Sequence, residues 1–251
     1  MIRTKKWLAS LLAVVMLLSV MPLALAAEDD TQNTTDTQVS AEDGEKTPAE
    51  GEEKTPAEDG EETPAVENPF TDVDESSPFY NAILWAVDQK ITAGKTATTF
   101  APRETCTRAQ IITFLWRAAG RPETTLEESP YSDVVEGQIN ADFYSAILWA
   151  AEKGIAEEGE TFDPSGACTR SSTVVFLWKY AECPEVETEK EFTDVDADAD
   201  YAAAVAWAVE NGVTAGTGDG STFEPDASCT RGQIVTFLFR DLAETEAETE
   251  G

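Results

Sequence analysis

The chain has 251 residues, 49 acidic against 17 basic, no histidine, and a formal charge of −32. That balance argues against nucleic acid and anionic membranes as partners, because phosphate binding needs a basic face. The missing imidazole excludes Ser–His and Cys–His nucleophilic catalysis and removes the commonest transition-metal ligand.

The N-terminus reads as an export signal over 1–26. Arg3, Lys5 and Lys6 precede an apolar run from Trp7 to Val20, and Ala24-Leu25-Ala26 supplies a small-x-small cleavage site. The apolar run is near the lower limit for crossing a bilayer and meets Pro22, so an uncleaved anchor is the alternative. No later segment is apolar enough to span, and no membrane insertion is expected after cleavage. Residues 27–68 form a low-complexity spacer. From Glu28 to Asn68 it holds 15 acidic residues against Lys46 and Lys54, with Thr-Pro-Ala at Thr47, Thr55 and Thr63. Such a stretch lacks apolar surface to offset ordering entropy and repels itself into an extended form. A plain solvated linker and an O-glycosylated spacer both remain open.

Three segments then repeat one pattern, at 69–122, 130–184 and 191–243. Each opens with an aromatic, a hydroxyl residue and Asp-Val: Phe70-Thr71-Asp72-Val73, Tyr131-Ser132-Asp133-Val134 and Phe192-Thr193-Asp194-Val195. Each continues with an amphipathic stretch carrying one Trp (Trp85, Trp149, Trp207), and closes with Phe-x-Pro, Cys-Thr-Arg and an apolar run. The opening Asp residues lie 61 and 61 apart, and Arg108, Arg170 and Arg231 lie 62 and 61 apart. A register held so closely means one supersecondary unit used three times, burying its core only against its own copies.

Within the unit, Ser77-Pro78 predicts a helix start, with Phe79, Ile83, Ala86 and Val87 on one face. That helix ends near Lys90, where the other copies place Gly154 and Gly212 as left-handed caps. Thr107 with Gln110, and Thr230 with Gln233, predict capping boxes for a second helix; Thr169 with Ser172 is a weaker version. The runs that follow, such as Ile111, Ile112, Phe114, Leu115 and Trp116, are apolar almost all round, so the second helices belong in the middle. The expectation is an all-α fold, mainly helical with long loops, with a central three-helix bundle in one cooperative domain. Residues 244–251 read as a short acidic tail.

The cysteines Cys106, Cys168 and Cys229 share one repeat position, and Cys183 follows the second repeat. Buried thiols acting as small hydrophobes, and a disulfide involving Cys183, are the alternatives. The arginines fit a purely structural account less well. They sit in the first turn of a helix, where the dipole disfavours a cation but free backbone N–H groups suit an anion. Beside such groups an Arg can hold a carboxylate in a bidentate fork. The competing account is an internal salt bridge from each Arg to the Asp that opens its repeat.

Together the Phe-Thr-Asp-Val opening, the aromatic-x-Ala-Ile-x-Trp-Ala helix, Phe-x-Pro and Thr-Arg-Ala-Gln resemble the S-layer homology repeat of bacterial cell-envelope proteins. The resemblance covers about 69 to 243. It implies a pseudo-threefold triplet that is secreted, held at the cell wall, not an enzyme, and without a cofactor. It further implies non-covalent binding of secondary cell-wall polysaccharide, pyruvylated in many such systems, in grooves between repeats. Carried over by position, Arg108, Arg170 and Arg231 would meet the sugar's carboxylate. Asp72, Asp133 and Asp194, with Trp85, Trp149 and Trp207, would shape the groove, and Gly94 and Gly216 match a loop glycine that admits a ligand. This chain departs from the pattern at Gln110, Ser172 and Gln233 (acidic in the family), at the three Cys (aliphatic), and at Lys90. Glu157-Glu158-Gly159-Glu160 in the second repeat predicts a site that repels a carboxylate. Three other readings stand beside this one. A calcium loop at Asp194, Asp196, Asp198 and Asp200 lacks the Gly and closing Glu it needs. Paired carboxylates for glycoside hydrolysis lack a cleft. A structural or protein-binding envelope module is the third.

Overall fold

The structure, a computed structural model, describes residues 67–247, with side chains to 243. The export signal over 1–26, nearly all of the spacer and the end of the tail lie outside the described residues. The described residues hold six helices in order: α1 (Tyr80–Asp88), α2 (Arg108–Ala118), α3 (Ala141–Glu152), α4 (Arg170–Tyr180), α5 (Ala202–Glu210) and α6 (Arg231–Ala247). Among the described residues there are no strands, only isolated bridges, so the fold is all-α. Each repeat supplies two helices. The last helix runs four residues into the segment expected to be tail.

Local chemistry explains the starts. Gln110 N donates to Thr107 Oγ1 at 3.3 Å while Thr107 N donates to Gln110 Oε1 at 3.0 Å, closing the expected capping box. Thr230 and Gln233 repeat it. Thr169 Oγ1 accepts from Ser172 N at 3.1 Å and donates to Ser172 Oγ at 2.9 Å, since serine is too short to reach back to the Thr169 N–H. The first helix begins later than Ser77-Pro78 suggests. Ser77 Oγ accepts from Phe79 N at 3.3 Å and its carbonyl from Tyr80 N at 3.0 Å, so the serine caps a turn and the helix starts at Tyr80. Asn140 caps α3 by accepting from Asp142 N and Phe143 N, a signal the repeat pattern had hidden. At the helix ends Lys90 takes the left-handed conformation, φ 58°, that Gly154 and Gly212 take in the other copies. A side chain pays for that geometry in strain that glycine avoids.

Helix packing differs from a simple central bundle. The extensive helix contacts pair α2 with α3, α4 with α5, and α1 with α6, while α2 and α4 touch more lightly. Each second helix therefore packs on the first helix of the next repeat, and the first helix of all closes on the last. Arg117 Nη2, at the end of α2, meets Asp142 Oδ2 in the first turn of α3 at 2.6 Å. Trp85 on α1 meets Phe239 on α6 edge-on, with centroids 5.5 Å apart.

The cysteine backbones link the three repeats. Cys106 N donates to the Cys229 carbonyl at 2.9 Å, Cys168 N to the Cys106 carbonyl at 2.9 Å, and Cys229 N to the Cys168 carbonyl at 2.8 Å. Their side chains are fully buried, Cys183 is exposed, and none of the four is in a disulfide. Burial pushes the Cys168 thiol up to about 11 and raises Cys106 as well. The folded protein is therefore expected to react at one thiol, Cys183, with a thiol-sensitive dye at mildly alkaline pH, and at all four after denaturation. Rapid reaction of a second thiol in the folded state would contradict this packing.

Candidate functional site

The opening Asp, the Phe-x-Pro segment and the Arg form one chain of hydrogen bonds in every copy. Asp72 accepts the N–H groups of Phe100 and Ala101 at 2.8 and 2.7 Å. Asp133 does the same for Phe162 and Asp163, and Asp194 for Phe223 and Glu224, at the same distances. The residue held by the second oxygen has a positive φ each time: Ala101 58°, Asp163 58° and Glu224 59°. A non-glycine residue there, directly before proline, is strained, and the carboxylate holds it.

The carbonyl of the same Phe then receives an arginine from the preceding repeat in the cycle. Arg108 Nε donates to Phe162 O at 2.9 Å, Arg170 Nε to Phe223 O at 2.7 Å, and Arg231 Nε to Phe100 O at 3.0 Å. Each guanidinium lies between two phenylalanine rings. The centroid distances are 4.9 and 5.3 Å for Arg108 with Phe162 and Phe176, and 4.9 and 5.3 Å for Arg170 with Phe223 and Phe237. For Arg231 with Phe100 and Phe114 they are 4.8 and 5.6 Å. The expected salt bridge from Arg to the Asp of its own repeat gives way to this arrangement. The Asp acts on an arginine of the neighbouring repeat, through the Phe backbone, and spends both oxygens on N–H groups.

The helix N-termini also differ from expectation. Arg108 N donates to Gly166 O and Ala109 N to Pro164 O. Arg170 N donates to Ala227 O and Ser171 N to Pro225 O. Arg231 N donates to Glu104 O and Gly232 N to Pro102 O, all between 2.9 and 3.1 Å. With the next N–H bound by the capping Thr, the first turn offers nothing to an anion, and only the guanidinium remains. Arg170 and Arg231 are 1% and 5% exposed. Arg231 Nη2 is buried without a hydrogen-bond partner. Burial lowers the Arg231 pKa from its ordinary value, while Cys106, Glu104 and Asp72 nearby act the other way.

Two groups of candidate residues turn out to be packing residues. Trp85, Trp149 and Trp207 are 9%, 2% and 2% exposed and pack in the core, where their rings face protein. Gly94 and Gly216, φ 86° and 95°, lie under the opening aromatics. An added Cβ would come within 2.4 Å of the Phe70 ring and 2.5 Å of the Phe192 ring. The close approach these glycines permit is by the protein's own phenylalanine. The acidic run after Phe192 is partly committed as well, since Asp194 holds Phe223 and Glu224, and Asp196 Oδ1 accepts from Asp198 N at 2.9 Å.

The model of the S-layer homology domain family matches residues 69–112 and 191–235. The second repeat falls outside the match, although its Asp133, Phe162 and Cys168 make the same bonds as their counterparts. This chain is an S-layer homology domain protein. Such domains bind cell-wall polysaccharide and indicate association with the cell surface or wall. The chain is also 30% identical over 185 residues to an endoglucanase of Bacillus sp. (strain KSM-635), a match covering 68% of this chain and 19% of that enzyme. The chain thus corresponds to about a fifth of the length of this relative. No helix of the described residues is long and apolar enough to cross a membrane.

Proposed function

We propose that this protein is a secreted, non-catalytic anchor that holds non-covalently to the bacterial cell wall by binding secondary cell-wall polysaccharide, pyruvylated at the point of recognition. The three repeats, 69–122, 130–184 and 191–243, make one pseudo-threefold unit in which the arginines Arg108, Arg170 and Arg231 are the candidate readers of the acidic sugar. Asp72, Asp133 and Asp194 position them through the Phe carbonyls, and the Trp and Gly residues support that geometry from the core. One observation carries the reading. Arg231 keeps a buried Nη2 with no hydrogen-bond partner, a costly state that a ligand carboxylate would relieve. The likeness to an endoglucanase fits a module that accompanies enzymes at the surface, and no catalytic role is assigned to this chain.

Co-sedimentation of the full chain with bacterial sacculi, before and after removal of the non-peptidoglycan polymer, tests the reading. Binding should vanish with the polymer, and Arg231→Ala should weaken it by about tenfold or more while the helical signal survives. Binding that ignores polymer removal would overturn the proposal.

A second reading has its own observation. Because the first-turn N–H groups and the Arg Nε atoms are all engaged between repeats, the same residues also serve as pure scaffold. A structural or protein-binding envelope module, calcium-dependent or not, then follows. Failure to bind either form of the sacculi would select it.

A further inference from the structure

The three arginines share the Nε bond and the pair of rings, but the loop beside them differs in one copy. After the first helix the loops run Ile91-Thr92-Ala93-Gly94, Ile155-Ala156-Glu157-Glu158 and Val213-Thr214-Ala215-Gly216. Glu157 therefore stands in register with Ala93 and Ala215. Its Oε2 lies 2.8 Å from Arg108 Nη2, while Arg108 keeps the same Nε bond and the same pair of rings as its counterparts. On the Arg231 side the loop residue is Ala93, too short to reach, and Nη2 has no partner.

The rest of the second loop is rebuilt around this glutamate. Its opening aromatic is Tyr131, where the other copies have Phe70 and Phe192. The added hydroxyl donates to the Glu157 carbonyl at 2.8 Å and fixes the backbone that carries the carboxylate. Glu158 replaces the glycine that the Phe ring covers in the other two copies. Three coordinated differences thus place one side chain.

We infer that Glu157 is a built-in occupant of the Arg108 position, an internal carboxylate that closes this one of the three equivalent sites to carboxylate-bearing sugars. The inference rests on the reading that these arginines receive a ligand's acidic group. Physically, an external carboxylate must displace one tethered beside the cation, whose effective concentration exceeds that of a dilute ligand. Half of the Glu157 side chain faces solvent, so the closure is reversible by mutation without opening the core. The expected charge repulsion at this loop is thereby refined: the glutamate neutralises the arginine of the first repeat as well as repelling an anion.

The test uses the full chain and two variants, Glu157→Ala, the residue of the other loops, and Glu157→Gln, which keeps the shape without the charge. Sodium acetate is the probe, and the NMR signal of the Arg108 Nε–H group is the readout. Acetate should leave that signal unmoved in the parent chain, shift it saturably in Glu157→Ala, and shift it less in Glu157→Gln. An equal shift in parent and variants, or no shift in any, overturns the inference. Co-sedimentation with polymer-bearing sacculi then gives the second arm, in which Glu157→Ala should bind about two- to fivefold more tightly than the parent. No gain, in a parent that does bind, overturns the ligand class. A parent that fails to bind the polymer at all defeats the proposed function instead, and the acetate result alone then decides the role of Glu157.

Discussion

Removing residues 191–251 is expected to leave no cooperatively folded protein, although two complete sequence repeats would remain. The deletion takes α6 from α1 and α5 from α4. It breaks two of the three bonds that join the cysteine backbones, and strips Arg170 of the Phe223 carbonyl and of the Phe223 and Phe237 rings. The apolar loss alone is decisive. Ile234, Val235, Phe237 and Leu238 are fully buried, and each contributes on the order of 1.5–3 kcal/mol by burial. That sum is comparable to the roughly 5–15 kcal/mol by which a whole domain is stable. The far-ultraviolet circular dichroism melt of the truncated chain should show a shallow, featureless decline. A sharp transition near the parent's would mean that two repeats form a core of their own and that the closing contact of α1 with α6 is dispensable.

Replacing Asp194 with Ala should lower stability by about 3 kcal/mol, from the loss of two hydrogen bonds to a charged acceptor and release of a strained turn. For a domain of this size that corresponds to a fall in Tm of roughly 6–12 °C. Asp194→Asn keeps one acceptor oxygen and should lose about half as much. The consequence reaches the neighbouring repeat, because the Phe223 carbonyl freed from its pinned backbone is the one that Arg170 Nε contacts. A thermal melt of both variants, with the parent alongside, reads the effect. If Asp194→Ala melts within a degree or two of the parent, the carboxylate is an ornament of the turn and the grip of Arg170 on Phe223 does not depend on it.

How much of this was legible from sequence depends on the range of each contact. The capping boxes at Thr107 and Thr230 pair residues only three apart, and local spacing sufficed to place them. The all-helical class followed from the same short-range periodicity, which reports which face of a helix is buried. It does not report against what. The partner of Arg108 is 54 residues away, that of Arg170 is 53, and that of Arg231 is 131, so the step from each arginine to the next repeat's Phe carbonyl had no local signature. The same blindness affected the site. An arginine in a first turn suggested open N–H groups, but Gly166, Pro164 and their counterparts fill them from across the repeat boundary. Trp149 and Trp207 carry the aromatic faces that sugars favour, and only packing shows those faces covered. The acidic loop at Glu157 was visible as a departure. Its pairing with an arginine of a different repeat was not.

The closure of α1 on α6 also has a consequence in time. A ribosome adding about 5–20 residues per second completes α1 on the order of ten seconds before α6. Through that interval the first helix lacks its main helix partner, and the arginine that will grip the Phe100 carbonyl has not been made. The contact that closes α1 on α6 therefore forms late in synthesis, a delay that suits the proposed export.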